Sequence, residues 1–189
     1  MYCRFNLRTS AALLGCLLAA GLSVSMTRAQ ESESREYKIK AAYLLNFAKF
    51  VEWPTNRFLT TNSPIKVGVL GKDPFGPDLE LTIGGRLVGG RKCEIVRTDD
   101  PDTALSCHIV FISSSERKEL PAILEKLHRG NVLTVGEWEQ FTPQGGIIRF
   151  YLYENTVRFE VNALAAEKAG LRVSAKLLQI GKPPARQKE

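Results

Sequence analysis

Histidine, methionine and tryptophan are scarce in this chain of 189 residues, with two of each. His108 and His128 are too few to complete a zinc site, and the spacing of the four cysteines, Cys3, Cys16, Cys93 and Cys107, matches no zinc pattern. No Gly-x-Ser-x-Gly elbow surrounds Ser113 to Ser115, so the sequence offers no esterase-type nucleophile. No Pro/Gly/Ser linker divides the chain and no internal repeat recurs, which argues for one domain with its own core. A dense Lys/Arg stripe with interleaved aromatics is also missing, which excludes nucleic acid as an expected partner. Apolar runs are short. The longest, from Ala11 to Val24, is broken by Gly15, Cys16, Gly21 and Ser23 and falls below the roughly 18 continuous apolar residues that a membrane span needs.

That run has a different use. Arg4 and Arg8 precede it and Thr27-Arg-Ala29 follows it with small residues at the two positions a signal peptidase reads, so residues 1–29 are expected to be a cleaved export signal and residues 30–189 one exported domain. Cleavage would remove Arg4, Arg8 and Arg28 and lower the formal charge from +6 to +3. It would also remove Cys3 and Cys16. Cys93 and Cys107 would remain in a compartment that permits oxidation. If they head two strands separated by a third, their α-carbons lie roughly 9 to 10 Å apart, beyond disulfide reach. A disulfide between Cys93 and Cys107 and a pair of buried thiols both stand at this point.

The most distinctive stretch is Ala41-Ala-Tyr-Leu-Leu-Asn-Phe-Ala-Lys-Phe-Val-Glu-Trp-Pro54. On a helical wheel Ile39, Tyr43, Leu44, Phe47, Phe50 and Val51 share an apolar arc, and Lys38, Asn46, Lys49 and Glu52 lie opposite. An amphipathic helix is predicted from the end of Glu31-Ser-Glu-Ser-Arg35 to Trp53, because Pro54 disfavours helical geometry in the residue before it. The aromatic arc is read as core. A second row, Ala41, Leu45 and Ala48, lies beside the polar face and is the candidate contact for a partner or a second copy of the chain.

Beyond the helix, Ile65-Lys-Val-Gly-Val-Leu70, Cys93-Glu-Ile-Val96, His108-Ile-Val-Phe-Ile112 and Asn131-Val-Leu-Thr-Val135 read as buried strands separated by helical segments. The helix after Ser113 to Ser115 carries Leu120, Ile123, Leu124 and Leu127 on one face and stops at Gly130. Gly146 to Leu152 and Thr156 to Val161 read as an antiparallel hairpin whose Arg149, Arg158 and Glu160 form a wet face. Asn162 and Ser174 cap two short closing helices. The expected fold is α/β: a single compact layered domain with a mostly parallel sheet, an antiparallel hairpin at one edge and an N-terminal amphipathic helix.

No constellation of residues argues for catalysis. His108 sits among apolar strand residues, and Cys107 beside it points to the other face, so the two do not make a nucleophile and base. Gly71-Lys-Asp-Pro-Phe-Gly76 lacks the Gly-Lys-Ser/Thr ending of a P-loop. Gly84-Gly-Arg-Leu-Val-Gly-Gly-Arg-Lys92 reads either as a hairpin tip or as an anion loop using Arg86, Arg91 and Lys92. No cofactor is expected, and the chain reads as a noncatalytic protein.

Taken in order, several segments resemble one family. They are Tyr37 to Pro54, Val69-Leu-Gly71 with Pro74-Phe-Gly76, Cys107 to Ser113, Val132 to Val135, Gly145-Gly-Ile-Ile148, Arg158-Phe-Glu-Val-Asn162 and Ser174-Ala-Lys-Leu-Leu178. Together they are similar to the YfiR-like family of small exported bacterial proteins. The resemblance implies a periplasmic α/β domain that forms a homodimer. It also implies a repressor of an inner-membrane diguanylate cyclase, acting on the cyclase's periplasmic region until an outer-membrane lipoprotein sequesters it, so that cyclic di-GMP and biofilm formation are the outputs. Members also accompany sensor kinases. The family's best-understood member has two disulfides; this chain departs from it, with Cys93 and Cys107 alone after the leader. A periplasmic small-molecule or anion binding domain, using loops near Gly71 and Ser113, is the alternative.

Overall fold

The computed structural model describes residues 31–181, so the expected export signal lies outside the described residues. The chain divides at Glu36 into two units, and residues 31–36 of the first are helical. Residues 37–50 of the second form helix α1. Glu31, Glu33, Arg35 and Glu36 are good helix formers, which explains why helix also covers residues expected to lie outside it. The helix ends earlier than expected. Val51–Glu52 leaves it as strand β1 and pairs antiparallel with β9, Arg172–Val173. A β-branched residue and the approach to Pro54 favour extended backbone there, and a partner strand supplies the hydrogen bonds.

The main sheet has seven strands in the order β3, β4, β2, β5, β6, β7, β8. They are β2 (Ile65–Leu70), β3 (Leu87–Val88), β4 (Arg91–Thr98), β5 (Ile109–Ile112), β6 (Leu133–Gly136), β7 (Ile148–Tyr153) and β8 (Thr156–Val161). Strands β4, β2, β5, β6 and β7 run parallel, whereas β3 and β8 close the two edges antiparallel. The expected hairpin is β7–β8, in register from Ile148 opposite Val161 to Tyr153 opposite Thr156. The glycine-rich segment is a hairpin too: β3 and β4 are joined through Gly89-Gly90, with Val88 opposite Arg91.

The chain moves outward from β2 to β4 and then reverses to β5. A right-handed crossover therefore puts the first connecting helix on one face and the later ones on the other. The first is α2 (Asp78–Ile83); the later ones are α3 (Pro101–Ala104) and α4 (Leu120–Arg129). Two apolar cores follow. One side packs α1, α2, α5 (Ala163–Lys168) and α6 (Ala175–Ile180) on Val67, Val69, Phe111, Val135, Phe150 and Phe159. The other packs α3 and α4 on Leu70, Val110 and Ile112. No helix joins β6 to β7; the loop between them sends Trp138 and Phe141 into the core of α3 and α4, while α1 covers the opposite face of the sheet.

Local signals held with exceptions. Asn162 caps α5 and Ser174 caps α6 through side-chain oxygens that accept the N–H of Ala165 and of Leu177. Ser113 caps a short 3-10 turn, Ser114–Glu116, and α4 starts later, with Pro121 in its first turn. At its far end the left-handed residue is Asn131 rather than Gly130. The face of β7–β8 expected to be wet is so only in part: Arg158 is exposed, but Glu160 is buried, accepts from Thr142 Oγ1, and pairs with Arg149 Nε at 2.8 Å.

Candidate functional site

The predicted contact row on α1 is placed differently from expectation. Ala41 and Ala48 are buried in the protein's own core and Leu45 is half-buried against it, while Ile39, assigned to the core, is 40% exposed. The buried arc is centred on Leu44, Phe47 and Val51 and rotated toward the alanines. The reason is close packing. Small residues let α1 approach the sheet, and Phe47 then reaches Phe150 and Phe159, at ring separations of 5.7 and 5.1 Å. The Ala41/Leu45/Ala48 row is thus not a free edge; only Leu45 retains exposure.

A doubly wound sheet offers ligands a crevice at the carboxyl ends of the strands where its order reverses, here β2 and β5. The protein's own side chains occupy that place. Gly71 has φ +84°, and a Cβ there would stand 2.4 Å from Ser115 Oγ. The Lys72 N–H donates to Ser115 Oγ at 3.1 Å, and that hydroxyl donates to Glu116 Oε1 at 2.7 Å. Alongside, Arg97 donates to Asp73 Oδ2 at 2.6 Å, Glu80 Oε2 at 2.7 Å and the Gly76 carbonyl at 3.0 Å. The bond from Arg97 holds the Glu80 carboxyl below its ordinary range. From α1, the nearly buried Lys40 ammonium donates to Glu137 Oε2 at 2.7 Å and lies 4.3 Å from the Tyr37 ring centroid. The Tyr37 hydroxyl donates to the same carboxylate, at 3.2 Å. Loops that the sequence suggested for a small molecule therefore meet each other, and α1 is latched across the same end of the sheet.

The opposite end is built around His108, which is buried at 4% exposure. Its ring stacks on Phe58 at 4.6 Å and meets the edge of Trp53 at 5.8 Å. Nδ1 accepts the Lys66 N–H at 3.1 Å, while Nε2 is buried with no partner. Trp53 Nε1 donates to the His108 carbonyl at 3.2 Å, and Arg57 Nη2 donates to the carbonyls of Leu105 and Cys107 at 3.1 and 2.6 Å. Burial, reinforced by the Arg57 charge, pushes the His108 pKa down to about 4. A shallow cleft of about 360 Å³ opens beside this cluster, lined by Lys49, Trp53, Phe58, Ile65, Val88 and Arg91 among others. No sequence signal pointed to Arg57, which lies in an ordinary Thr/Asn/Pro loop. In the sequence Trp53 and Pro54 read as the end of a helix and of the first family segment, with nothing to tie them to His108.

The basic loop does not assemble as an anion site. Arg91 is turned inward, 4.0 Å over the Phe58 ring, and donates to the Thr60 and Ser63 carbonyls at 3.0 and 2.8 Å. Arg86 and Lys92 stay exposed on the hairpin. Cys93 and Cys107 are free and buried. They belong to the two different cores, on opposite faces of the sheet. Cys107 Sγ rests against Gly68, where a Cβ would stand 2.9 Å away. Burial pushes both thiols above their ordinary pKa, which suppresses the reactive thiolate.

Residues 37–182 match the model of the family described as YfiR/HmsC-like. The chain belongs to the YfiR/HmsC-like family, whose members are periplasmic regulators rather than catalysts. Among curated proteins none matches. One solved structure it resembles is a conserved domain protein from Vibrio cholerae O1 biovar El Tor, with a TM-score of 0.46 and 10% identity, covering 68% of this chain. This chain spans 56% of that one. Among the described residues no helix is long and apolar enough to cross a membrane.

Proposed function

We propose that this chain is a periplasmic adaptor that binds the periplasmic part of an inner-membrane signalling protein, a diguanylate cyclase before a sensor kinase, and represses cyclic di-GMP signalling. The observation that carries this is the YfiR/HmsC-like match across residues 37–182. The structure supports it in one respect: at the carboxyl ends of β2 and β5, Gly71, Ser115, Glu116 and Glu137 are engaged with one another or with α1. A regulator of this kind needs differential affinity for two states of its partner and no chemistry of its own. A homodimer and an outer-membrane lipoprotein that relieves repression belong to the same proposal.

The test is genetic and quantitative. Deleting the gene should raise cellular cyclic di-GMP and biofilm mass, and a copy carrying its export signal should restore both while a copy lacking that signal does not. Unchanged cyclic di-GMP in the deletion would reject the cyclase as the output.

A further inference from the structure

The twelve residues between β1 and β2, 53–64, cross the amino ends of β2 and β5 as a strap, and none of them is fully buried. Their backbone hydrogen bonds close local turns, from Arg57 to Pro54, Phe58 to Thr55 and Ser63 to Thr60. What holds the strap down is concentrated around one imidazole. Phe58 stacks on His108, Trp53 covers its edge and bonds its carbonyl, and Arg57 bonds the carbonyl of the preceding Cys107. The strap's other tie comes from Arg91, lying on Phe58 and bonded to Thr60 and Ser63.

This arrangement favours a neutral imidazole. A protonated ring carries two N–H donors. One would point at the Lys66 N–H, itself a donor, and the other leaves a buried Nε2 that makes no hydrogen bond in the neutral ring, with the Arg57 backbone nearby favouring the proton but outweighed by burial. The charged groups acting on the ring are Arg57 from the strap, Arg91 from β4 and Lys66 from β2, all cations. A carboxylate partner that would welcome the proton is not among them.

We propose that the strap is an acid-released clasp: proton uptake at His108 opens it and uncovers the amino ends of β2 and β5 with the aromatic faces of Trp53 and Phe58. The opening is local because β2 and β5 are buried within the two cores, whereas the strap has no fully buried residue and adds only Trp53 and Phe58 to the margin of one core. With the ring pushed from 6.5 down to about 4, the ratio of closed to open forms falls by up to about 300-fold as pH drops across that interval. Exposure of the clasp to external acidity rests on the periplasmic placement proposed above; the test below is made on the purified protein, so its failure leaves the partner proposal intact and the converse also holds.

Trp138→Phe leaves Trp53 as the single tryptophan of the chain. Its emission should shift to longer wavelength between about pH 7 and about pH 4 while far-ultraviolet circular dichroism stays constant. His108→Asn, whose carboxamide oxygen can take the Lys66 N–H without titrating, should abolish the shift. Emission that moves only together with loss of circular dichroism overturns the clasp, as does a shift that persists in His108→Asn. Should that variant fail to fold, ring NMR of the unaltered protein decides: His108 must titrate together with accelerated exchange of the Trp53 indole N–H, and strap opening with a neutral His108 ring overturns the proposal.

Discussion

Phe141 is fully buried between two glycines, and a Cβ at Gly136 or Gly146 would come within 2.5 or 2.2 Å of its ring. Gly146, which the sequence offers as the start of a strand and as part of a family resemblance, thus has a packing cause: with Gly136 it leaves the ring bare backbone on both sides. Gly146→Ala should cost about 1 to 3 kcal/mol as overpacking, measured by urea unfolding, and Phe141→Leu in the same chain should recover part of it. Protonation of His108 acts on stability, and that of His128, whose pKa burial also lowers, acts in the same direction. The folded pKa of His108 lies below its ordinary 6.5, so the unfolded chain takes the proton first; this contribution is complete above pH 6.5 and is lost as pH falls to about 4. Allowing for solvent screening at the rim, about 2 to 3 kcal/mol should disappear over that window in pH-dependent denaturant melts, and His108→Asn should remove this share, leaving the part that comes from His128. The two thiols should be silent. Neither should react with a disulfide reagent before unfolding, and a reducing agent should leave Tm unchanged.

At the scale of elements, α1 shows what the sequence made legible and what it did not. Its existence, its amphipathicity and the burial of Phe47 followed from apolar spacing. Its rotation did not, because a helical wheel weights large residues and cannot register that Ala41 and Ala48 permit close approach to a sheet. Substitutions separate the two pictures. Phe47→Ala should cost about 3 to 5 kcal/mol. Ala48→Glu should cost more than Leu45→Glu, since Ala48 is 5% exposed and a carboxylate there is buried without a partner; equal costs would restore the free-edge placement. Latching of α1 by Lys40 and Glu137 was invisible beforehand, because two charged residues 97 positions apart give no local signal. Removing the charge from Lys40 alone, as Lys40→Met, should cost about 1 to 3 kcal/mol in urea unfolding, since Glu137 keeps partial exposure and the Tyr37 hydroxyl, and Glu137→Leu added to it should restore part of the loss. Strand order was partly legible: alternation of strands and helices announced parallel pairing, but not the reversal between β4 and β5, nor the β1–β9 pair, whose two-residue strands lie below any periodicity.

For the molecule as a whole, the α/β architecture and the family were accessible from ordered motifs, while the sites were not, since they depend on which loops the fold closes. Both ends of the sheet illustrate this. The carboxyl end, where such a fold ordinarily receives a ligand, is filled by Ser115, Glu116 and the α1 latch; the amino end carries the strap and its buried imidazole. Such a molecule is suited to present surfaces to another protein. The measurement that tests this most directly is crosslinking of the tagged protein in intact cells followed by identification of what is captured. Capture of an inner-membrane diguanylate cyclase or sensor kinase through its periplasmic region is the predicted result. Recovery of the chain alone or with its own copies, under conditions where a known periplasmic complex is captured, would contradict the adaptor function.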